Sequence, residues 1–258
     1  MHLIRTLSIA VAAGLLLGAA PAPNPDADPS MAQPVPTKLK GYLAADALDG
    51  SAILPPPPAV DSPSGKADRA IYDENRALAG TPRWAAAQRD NDLWSGGAQM
   101  RFACALGHDI SDAATPRTQE MLHRVELDAR GVSGPAKRIY NRTRPPIGDT
   151  KPVCVPRADW LKTNPSYPSG HSITGWAWGL ILAEAAPDKA SAMIVAGREI
   201  GQSRVICGVH FASDVQAGRD LGAAMVARLH ADPKFLADLK AAKAELAKAP
   251  APKACPAP

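Results

Sequence analysis

Three short segments of the sequence hold the residue types that could transfer a phosphoryl group without a metal ion. They span residues 137–145, 168–171 and 203–214, and they include three cations, a serine, a glycine, two histidines and an aspartate. Cations and N–H donors can neutralise the phosphoryl oxygens. One histidine can then attack phosphorus while the other protonates the leaving oxygen.

The tetrapeptide Pro168-Ser169-Gly170-His171 is predicted to open an apolar helix. The first N–H groups of a helix have no partner within it, and the helix dipole there favours an anion. Gly170 lacks a side chain, so a ligand can approach its N–H closely. Ser169 adds a hydroxyl, and His171 adds a titratable donor. Taken alone, the segment is more typical of an ordinary serine N-cap followed by a surface histidine than of an anion site.

His210 and Asp214 are four residues apart, so they share a face on the helix that we predict for residues 210–230. A carboxylate that accepts from one imidazole nitrogen fixes the tautomer, and the other nitrogen can then act as a base or a nucleophile. A metal site is disfavoured, because no third histidine or carboxylate follows at helical spacing. A structural His–Asp pair remains the alternative.

Three cations complete the set. Lys137 and Arg144 are seven residues apart, and Arg144 precedes two prolines, which favours an extended backbone there. Arg204 lies six residues before His210, across a turn expected at Gly208. An isolated basic stretch is usually a solvated face. The coincidence of three such segments instead favours one anion-binding catalytic site.

The elements that must position these residues are predicted to be helices. Thr-Pro pairs at 81–82 and 115–116 combine an N-cap with Pro at the first helical position. No convincing strand pattern is visible, so we predict an all-α fold, a single-domain helical bundle. Residues 142–167 are rich in proline and predicted to be irregular. The predicted helices span residues 66–78, 82–106, 116–131, 133–141, 169–185, 187–204, 210–230 and 233–248.

The N-terminus has the layout of a cleavable secretory signal peptide over residues 1–22, with an uncertain cut site. Its apolar run is shorter than the ~20 residues that span a bilayer, which disfavours an uncleaved anchor. Residues 23–65 are predicted to be a Pro-rich linker and arm, residues 66–248 the helical domain and residues 249–258 a tail. We expect a bacterial periplasmic or secreted protein.

The chain has four cysteines and no Cys-x-x-Cys pair. An even number in an exported chain indicates disulfides rather than zinc or thioredoxin-like chemistry. Sequence alone does not choose among the three pairings. Our preference is Cys154 with Cys207 and Cys104 with Cys255.

Composition excludes several functional classes. The chain has 258 residues, a net charge of +4 and 21% charged residues, which excludes a highly charged disordered chain. The basic excess is small and forms no block, so we expect no nucleic-acid partner. No long apolar run follows the N-terminus, so we expect no stable membrane insertion.

The three segments match the motifs K-x6-RP, PSGH and SR-x5-H-x3-D at every fixed position and in order. The sequence therefore resembles the type-2 phosphatidic acid phosphatase and vanadium haloperoxidase superfamily. Residues 54–60, 94–97, 166–171 and 201–208 further resemble the bacterial class A non-specific acid phosphatases. The resemblance covers residues 53–248. It departs at Pro165, where that class usually has Gly, and at Ser172, where it has Thr.

The resemblance implies an all-α bundle and a metal-independent acid phosphatase that needs no cofactor. It implies that His210 is the nucleophile and forms a phosphohistidine, that Asp214 orients it, and that His171 is the general acid and later the base. The expected partners are small-molecule phosphomonoesters, and transfer of the phosphoryl group to alcohols and a homo-oligomer are both compatible with the sequence. The residues implied to hold the phosphate oxygens are Lys137, Arg144, Ser169, Gly170 and Arg204.

Other interpretations of the same residues stay open. A vanadate-dependent haloperoxidase could use this site, because vanadate is a trigonal-bipyramidal mimic of the phosphoryl transfer state. An integral lipid phosphatase of the superfamily would need membrane helices. An anion carrier would not need His210 and Asp214. A serine hydrolase at Ser169 is disfavoured, because no nucleophile-elbow motif surrounds that residue.

Overall fold

Every regular element in residues 38–44 and 46–256, the part of the chain that the computed structural model describes, is helical. The all-α prediction is therefore confirmed. The predicted signal peptide and residues 23–37 lie outside the described residues. The α-helices are α1 Gly50–Ile53, α2 Pro63–Asn75, α3 Pro82–Arg89, α4 Gly97–Leu106, α5 Pro116–Tyr140, α6 Trp160–Thr163, α7 Gly170–Ala185, α8 Ala190–Ile206, α9 Ala212–Leu229 and α10 Pro233–Leu246.

Helix α7 lies at the centre of the bundle and packs most closely on α8. It is apolar on nearly all sides, as expected for a buried helix. Glycines allow the close approach, because a Cβ at Gly179 would lie 2.9 Å from the carbonyl oxygen of Met193. The backbones of α7 and α8 therefore lie almost in contact. This packing fixes the start of α7 relative to the last turn of α8, which carries Arg204.

Helix α5 continues without a break from Pro116 to Tyr140, so the predicted end near Gly131 and the separate helix over residues 133–141 were wrong. Proline within a helix removes one hydrogen bond to the carbonyl four residues earlier. Here Pro135 leaves the carbonyl of Gly131 without a helical donor, but Gly131 is exposed and water can donate to its carbonyl. Val132 and Ala136 continue the buried face across the proline, and their burial favours the continuous helix.

The long helix predicted over residues 82–106 is divided in two. Helix α3 ends at Arg89, and α4 begins at Gly97. The carboxylate of Asp92 accepts hydrogen bonds from the backbone N–H groups of residues 94, 95 and 97. Gly96 has a φ of 100°, which a side chain would disfavour. The turn between the two helices is therefore a separate, well-anchored element.

Helix α9 begins at Ala212 rather than at His210, with Phe211 as its N-cap. His210 lies before the helix, and Asp214 lies in its first turn. The prediction that the two side chains share a helical face was therefore wrong, although they do come together. The eight predicted helices were also too few, because the described residues include two further four-residue helices, α1 in the predicted arm and α6 in the segment predicted to be irregular.

Both preferred disulfides are confirmed. Cys104 and Cys255 have their Cα atoms 5.6 Å apart, and Cys154 and Cys207 have theirs 4.7 Å apart. The first joins α4 to the C-terminal tail. The second joins the irregular segment after α5 to the residue that follows α8, three positions before His210. It thereby restrains the loop that carries the proposed nucleophile.

The described part of the arm lies on the bundle. The carboxylate of Asp128 on α5 accepts from the backbone N–H groups of Tyr42 and Leu43, both at 3.0 Å. Further along, the hydroxyl of Tyr167 donates to the carbonyl of Pro55 at 2.8 Å. Among the described residues, no helix combines the length and the apolar character that crossing a bilayer requires.

Candidate active site

The structure brings all eight predicted site residues together at one end of the bundle. They come from the last turn of α5 (Lys137), the loop after it (Arg144), the start of α7 (Ser169, Gly170, His171), the last turn of α8 (Arg204), the loop before α9 (His210) and the first turn of α9 (Asp214).

A pocket of about 210 Å³ opens at this end of the bundle. Ser169, Arg204 and Asp214 are fully buried and do not contribute to its lining. The predicted residues that line it are Lys137, Arg144, Gly170, His171 and His210.

One nitrogen of His210 faces a serine and a carboxylate. Nδ1 lies 3.5 Å from Oδ2 of Asp214 and 3.3 Å from Oγ of Ser166. Ser166 donates its own proton to the same Oδ2 at 2.5 Å, so its oxygen is available to accept from Nδ1–H. The backbone N–H of Phe211 also donates to Oδ2, at 2.8 Å. The proton of neutral His210 is therefore held at Nδ1.

The other nitrogen of His210 faces a cation. Nη1 of Arg144 lies 3.1 Å from Nε2. A guanidinium can only donate, so Nε2 must be the acceptor and must carry the lone pair. Arg144 is itself held by the carbonyls of Asn164 at 2.7 Å and Val209 at 2.9 Å. Both nitrogens thus specify the same tautomer, with a nucleophilic Nε2 on the pocket side.

His210 is kept neutral by its surroundings. Burial is the largest cause that lowers its pKa well below the usual 6.5, followed by the positive charges of Arg144, Lys137, Arg204 and His171. Only 2% of the residue is exposed. A neutral imidazole has a lone pair to donate, so His210 can act as a nucleophile in mildly acidic solution.

The carboxylate of Asp214 is balanced by Arg142, an arginine that occupies no fixed position of the three sequence motifs. Nη1 of Arg142 lies 2.6 Å from Oδ1 of Asp214, and Nη2 lies 2.9 Å from the buried carboxylate of Asp68. Asp68 also accepts from the backbone N–H of Ser213 at 3.0 Å. No spacing signal could have found this set, because its members are far apart in sequence.

His171 and Arg204 meet at one residue, Asn91. Nε2 of His171 lies 3.0 Å from the main-chain oxygen of Asn91. Nη1 of Arg204 donates to the side-chain oxygen of Asn91 at 2.7 Å. No sequence motif includes Asn91, which was predicted to lie within a helix over residues 82–106 and instead lies in the turn between α3 and α4.

The start of α7 is built as the sequence predicts. Ser169 is the N-cap, and its hydroxyl accepts from the backbone N–H of Ser172 at 3.4 Å. A Cβ at Gly170 would meet nothing within 4 Å, so the backbone at that residue is open to the pocket. Nζ of Lys137 donates to the carbonyl of Pro165 at 2.5 Å, which brings its charge to the same end of the pocket.

Within the described residues, histidine, cysteine and carboxylate side chains form no group of three that could hold a metal ion. Of the three predicted cations, Lys137 and Arg144 line the pocket, and the buried Arg204 adds a positive charge that acts on His210. The arrangement can hold a tetrahedral oxyanion against three cations and a helix start, with Nε2 of His210 directed at it.

Several known proteins are similar to this chain. Residues 127–236 match the PAP2 superfamily. A protein of Providencia stuartii named non-specific acid phosphatase is 40% identical over 206 residues, which is 79% of this chain and 83% of that protein. An acid phosphatase of Zymomonas mobilis is 38% identical over 197 residues, 76% of this chain and 75% of that protein. A non-specific acid phosphatase of Salmonella typhimurium is 37% identical over 203 residues, 78% of this chain and 81% of that protein.

Proposed function

This chain belongs to the bacterial class A non-specific acid phosphatases of the PAP2 superfamily, and we propose that it hydrolyses phosphate monoesters through a phosphohistidine at His210. The observation that carries the covalent step is the environment of that imidazole. Nδ1 faces Ser166 and Asp214, whereas Nε2 faces Arg144 at 3.1 Å and the pocket. Such an arrangement activates one nitrogen and aims it at a bound anion.

In the first step, the lone pair of His210 Nε2 attacks phosphorus and forms a P–N bond. The ester P–O bond breaks, its electron pair goes to the leaving oxygen, and His171 donates a proton to that oxygen. Lys137, Arg144 and Arg204 hold the three equatorial oxygens with the backbone N–H of Gly170. The buried carboxylate of Asp214 stabilises the positive charge that develops on the imidazole.

In the second step, His171 takes a proton from water, and the water oxygen attacks phosphorus. The P–N bond breaks, its electron pair returns to Nε2, and inorganic phosphate leaves. An alcohol in place of water would yield a new phosphate monoester by the same step, so transfer to alcohols is part of this proposal. No metal ion is required, because the cations of the chain neutralise the oxygens.

The proposed location is the periplasm or the exterior of a bacterial cell. Two disulfides support it, because they persist in oxidising compartments. The predicted signal peptide over residues 1–22 would provide the export, and the enzyme would meet small phosphomonoesters there.

The haloperoxidase alternative is not favoured, since the three relatives are named phosphatases. Vanadate should instead act as an inhibitor that competes with substrate.

The test is an assay of the purified, oxidised chain on several phosphomonoesters, with and without a chelator and with vanadate. We expect release of phosphate from all of them, no effect of the chelator and competitive inhibition by vanadate. Activity that a chelator abolishes and a divalent ion restores would contradict the metal-free mechanism. Halide oxidation with added vanadate, without phosphatase activity, would support the alternative.

A further inference from the structure

Asn91 contacts two functional residues through two different groups. Its side-chain oxygen accepts from Nη1 of Arg204 at 2.7 Å, and its main-chain oxygen lies 3.0 Å from Nε2 of His171. Arg204 is on α8, whereas His171 is on α7. Asn91 belongs to neither helix. It lies in the turn between α3 and α4, and it reaches a phosphate-binding cation and the general acid together.

The residues on either side of Asn91 hold this turn in place. The carboxylate of Asp90 accepts from Arg101 at 2.7 and 3.1 Å and from Oγ of Ser203 at 2.5 Å. Ser203 is the neighbour of Arg204 on α8, so Asp90 ties the turn to the helix that carries Arg204. Asp92 accepts from three backbone N–H groups at the start of α4, at distances of 2.8 to 3.2 Å. Asn91 is thus fixed from both sides.

We propose that Asn91 is a positioning residue that sets the guanidinium of Arg204 and the imidazole of His171 relative to the same phosphoryl group. The proposal rests on the function proposed above. It assigns the two contacts different effects: the side chain orients Arg204 for oxyanion binding, whereas the main-chain oxygen orients His171 for proton transfer. Small displacements of such groups matter, because binding and proton transfer both require near-attack geometry.

The contact to His171 also selects its tautomer. A main-chain carbonyl can only accept a hydrogen bond, so Nε2 of His171 must carry a proton. Nδ1 is then the nitrogen that gives its proton to the leaving oxygen and later takes one from water. His210 shows the opposite arrangement, in which Nδ1 holds the proton and Nε2 reacts.

The first experiment measures the binding of inorganic phosphate by calorimetry, which needs no turnover. Asn91→Ala removes the contact to Arg204 and keeps the main-chain oxygen. We expect phosphate affinity to fall about tenfold, since a hydrogen bond to a charged group is lost. In an Arg204→Ala background the same change should alter affinity by less than about twofold, because the partner is already absent. Asn75→Ala, on α2 away from the pocket, serves as the control.

A role limited to folding predicts a different result. It would lower the melting temperature and leave phosphate affinity unchanged in the folded fraction, or produce the same loss in both backgrounds. Either result overturns the assignment of Arg204 to the Asn91 side chain. A wild-type chain without phosphatase activity would contradict the proposed function, whereas an active wild type with an unaffected Asn91→Ala variant contradicts this inference alone.

The second experiment tests the contact to His171, and its NMR measurement uses the wild-type chain, so that measurement does not depend on the folding of any variant. Nitrogen NMR of the labelled protein should show His171 protonated at Nε2 when its ring is neutral. In Asn91→Ala, the ratio of rates on alkyl and nitrophenyl phosphates should stay within about twofold of wild type, because the main-chain contact remains. A neutral His171 protonated at Nδ1 would overturn this half of the proposal.

Discussion

The two histidines of the site are anchored by different parts of the molecule. His210 has side chains at both ring nitrogens, with Ser166 and Asp214 on one side and Arg144 on the other. The Nε2 of His171 instead contacts a main-chain oxygen in the turn between α3 and α4. One imidazole is therefore kept neutral by burial and by nearby side-chain charges, whereas the other is anchored by the backbone.

The largest expected effect comes from removing the nucleophile. His210→Ala should lower kcat on every phosphomonoester by about 10⁴-fold or more, because no other group can form the covalent intermediate. Calorimetry should still detect phosphate binding, since Lys137, Arg144 and Arg204 remain. Residual turnover within tenfold of wild type would contradict the role of His210.

The next effect distinguishes the roles of the two histidines by how the loss of activity depends on the leaving group of the substrate. His171→Ala should slow hydrolysis of alkyl phosphates by about 10²–10⁴-fold, because a poor leaving oxygen needs a proton. Nitrophenyl phosphate should be affected much less, since its leaving group departs without protonation. His230→Ala, which alters a histidine paired with Glu184, is the control. Equal losses on both substrate types would show that His171 is not the acid.

A smaller effect tests how Nδ1 of His210 is held. Ser166→Ala removes the hydroxyl between Nδ1 and Asp214, and we expect kcat to fall about tenfold with little change in KM. Ser172→Ala is a matched control, because Ser172 is also buried but donates to the carbonyl of Val215. If both variants lose the same activity, the loss comes from altered packing and not from the missing hydrogen bonds of Ser166 to His210 and Asp214.

The smallest effect is a shift in pH dependence. The pKa of His210 lies well below 6.5, and His210 must be neutral to attack. The loss of kcat/KM on acidification should therefore occur at a pH well below 6.5, and the maximum should lie at about pH 5–6.5. Lys137→Gln removes one of the charges that lower this pKa, so the acid limb should move up by about half a unit. Lys240→Gln, on the exposed face of α10, should leave the profile in place, and an unmoved limb in Lys137→Gln would contradict the electrostatic explanation.

The sequence predicts the parts of the site that lie within one segment. Ser169 as a cap, Gly170 as an open backbone position and the start of α7 follow from local rules of helix termini. The residues that support the two histidines do not follow in this way. Distant helices pack together and bring Asp68, Arg142 and Asn91 to the site. No spacing in the sequence indicates those contacts.

Two errors in the helix predictions have the same origin. Local rules place a helix end near Gly131 and a separate helix over residues 133–141, but burial of Val132 and Ala136 keeps α5 continuous to the turn that carries Lys137. Helical spacing pairs His210 with Asp214, but the pair forms across the start of α9. In both cases tertiary contacts outweigh the local signal. The proposed chemistry depends on which side chains meet and not on the helix boundaries.

The most direct test of the proposed mechanism is to locate the phosphoryl group during turnover. The chain is mixed with nitrophenyl phosphate at mildly acidic pH, quenched in alkaline denaturant and digested, and the peptides are sequenced by mass spectrometry. We predict a phosphoryl group on His210, with greater accumulation in His171→Ala because attack by water is slowed. A phosphoryl group on His171 or on another residue, or a His210→Ala variant that still forms the intermediate, would contradict it.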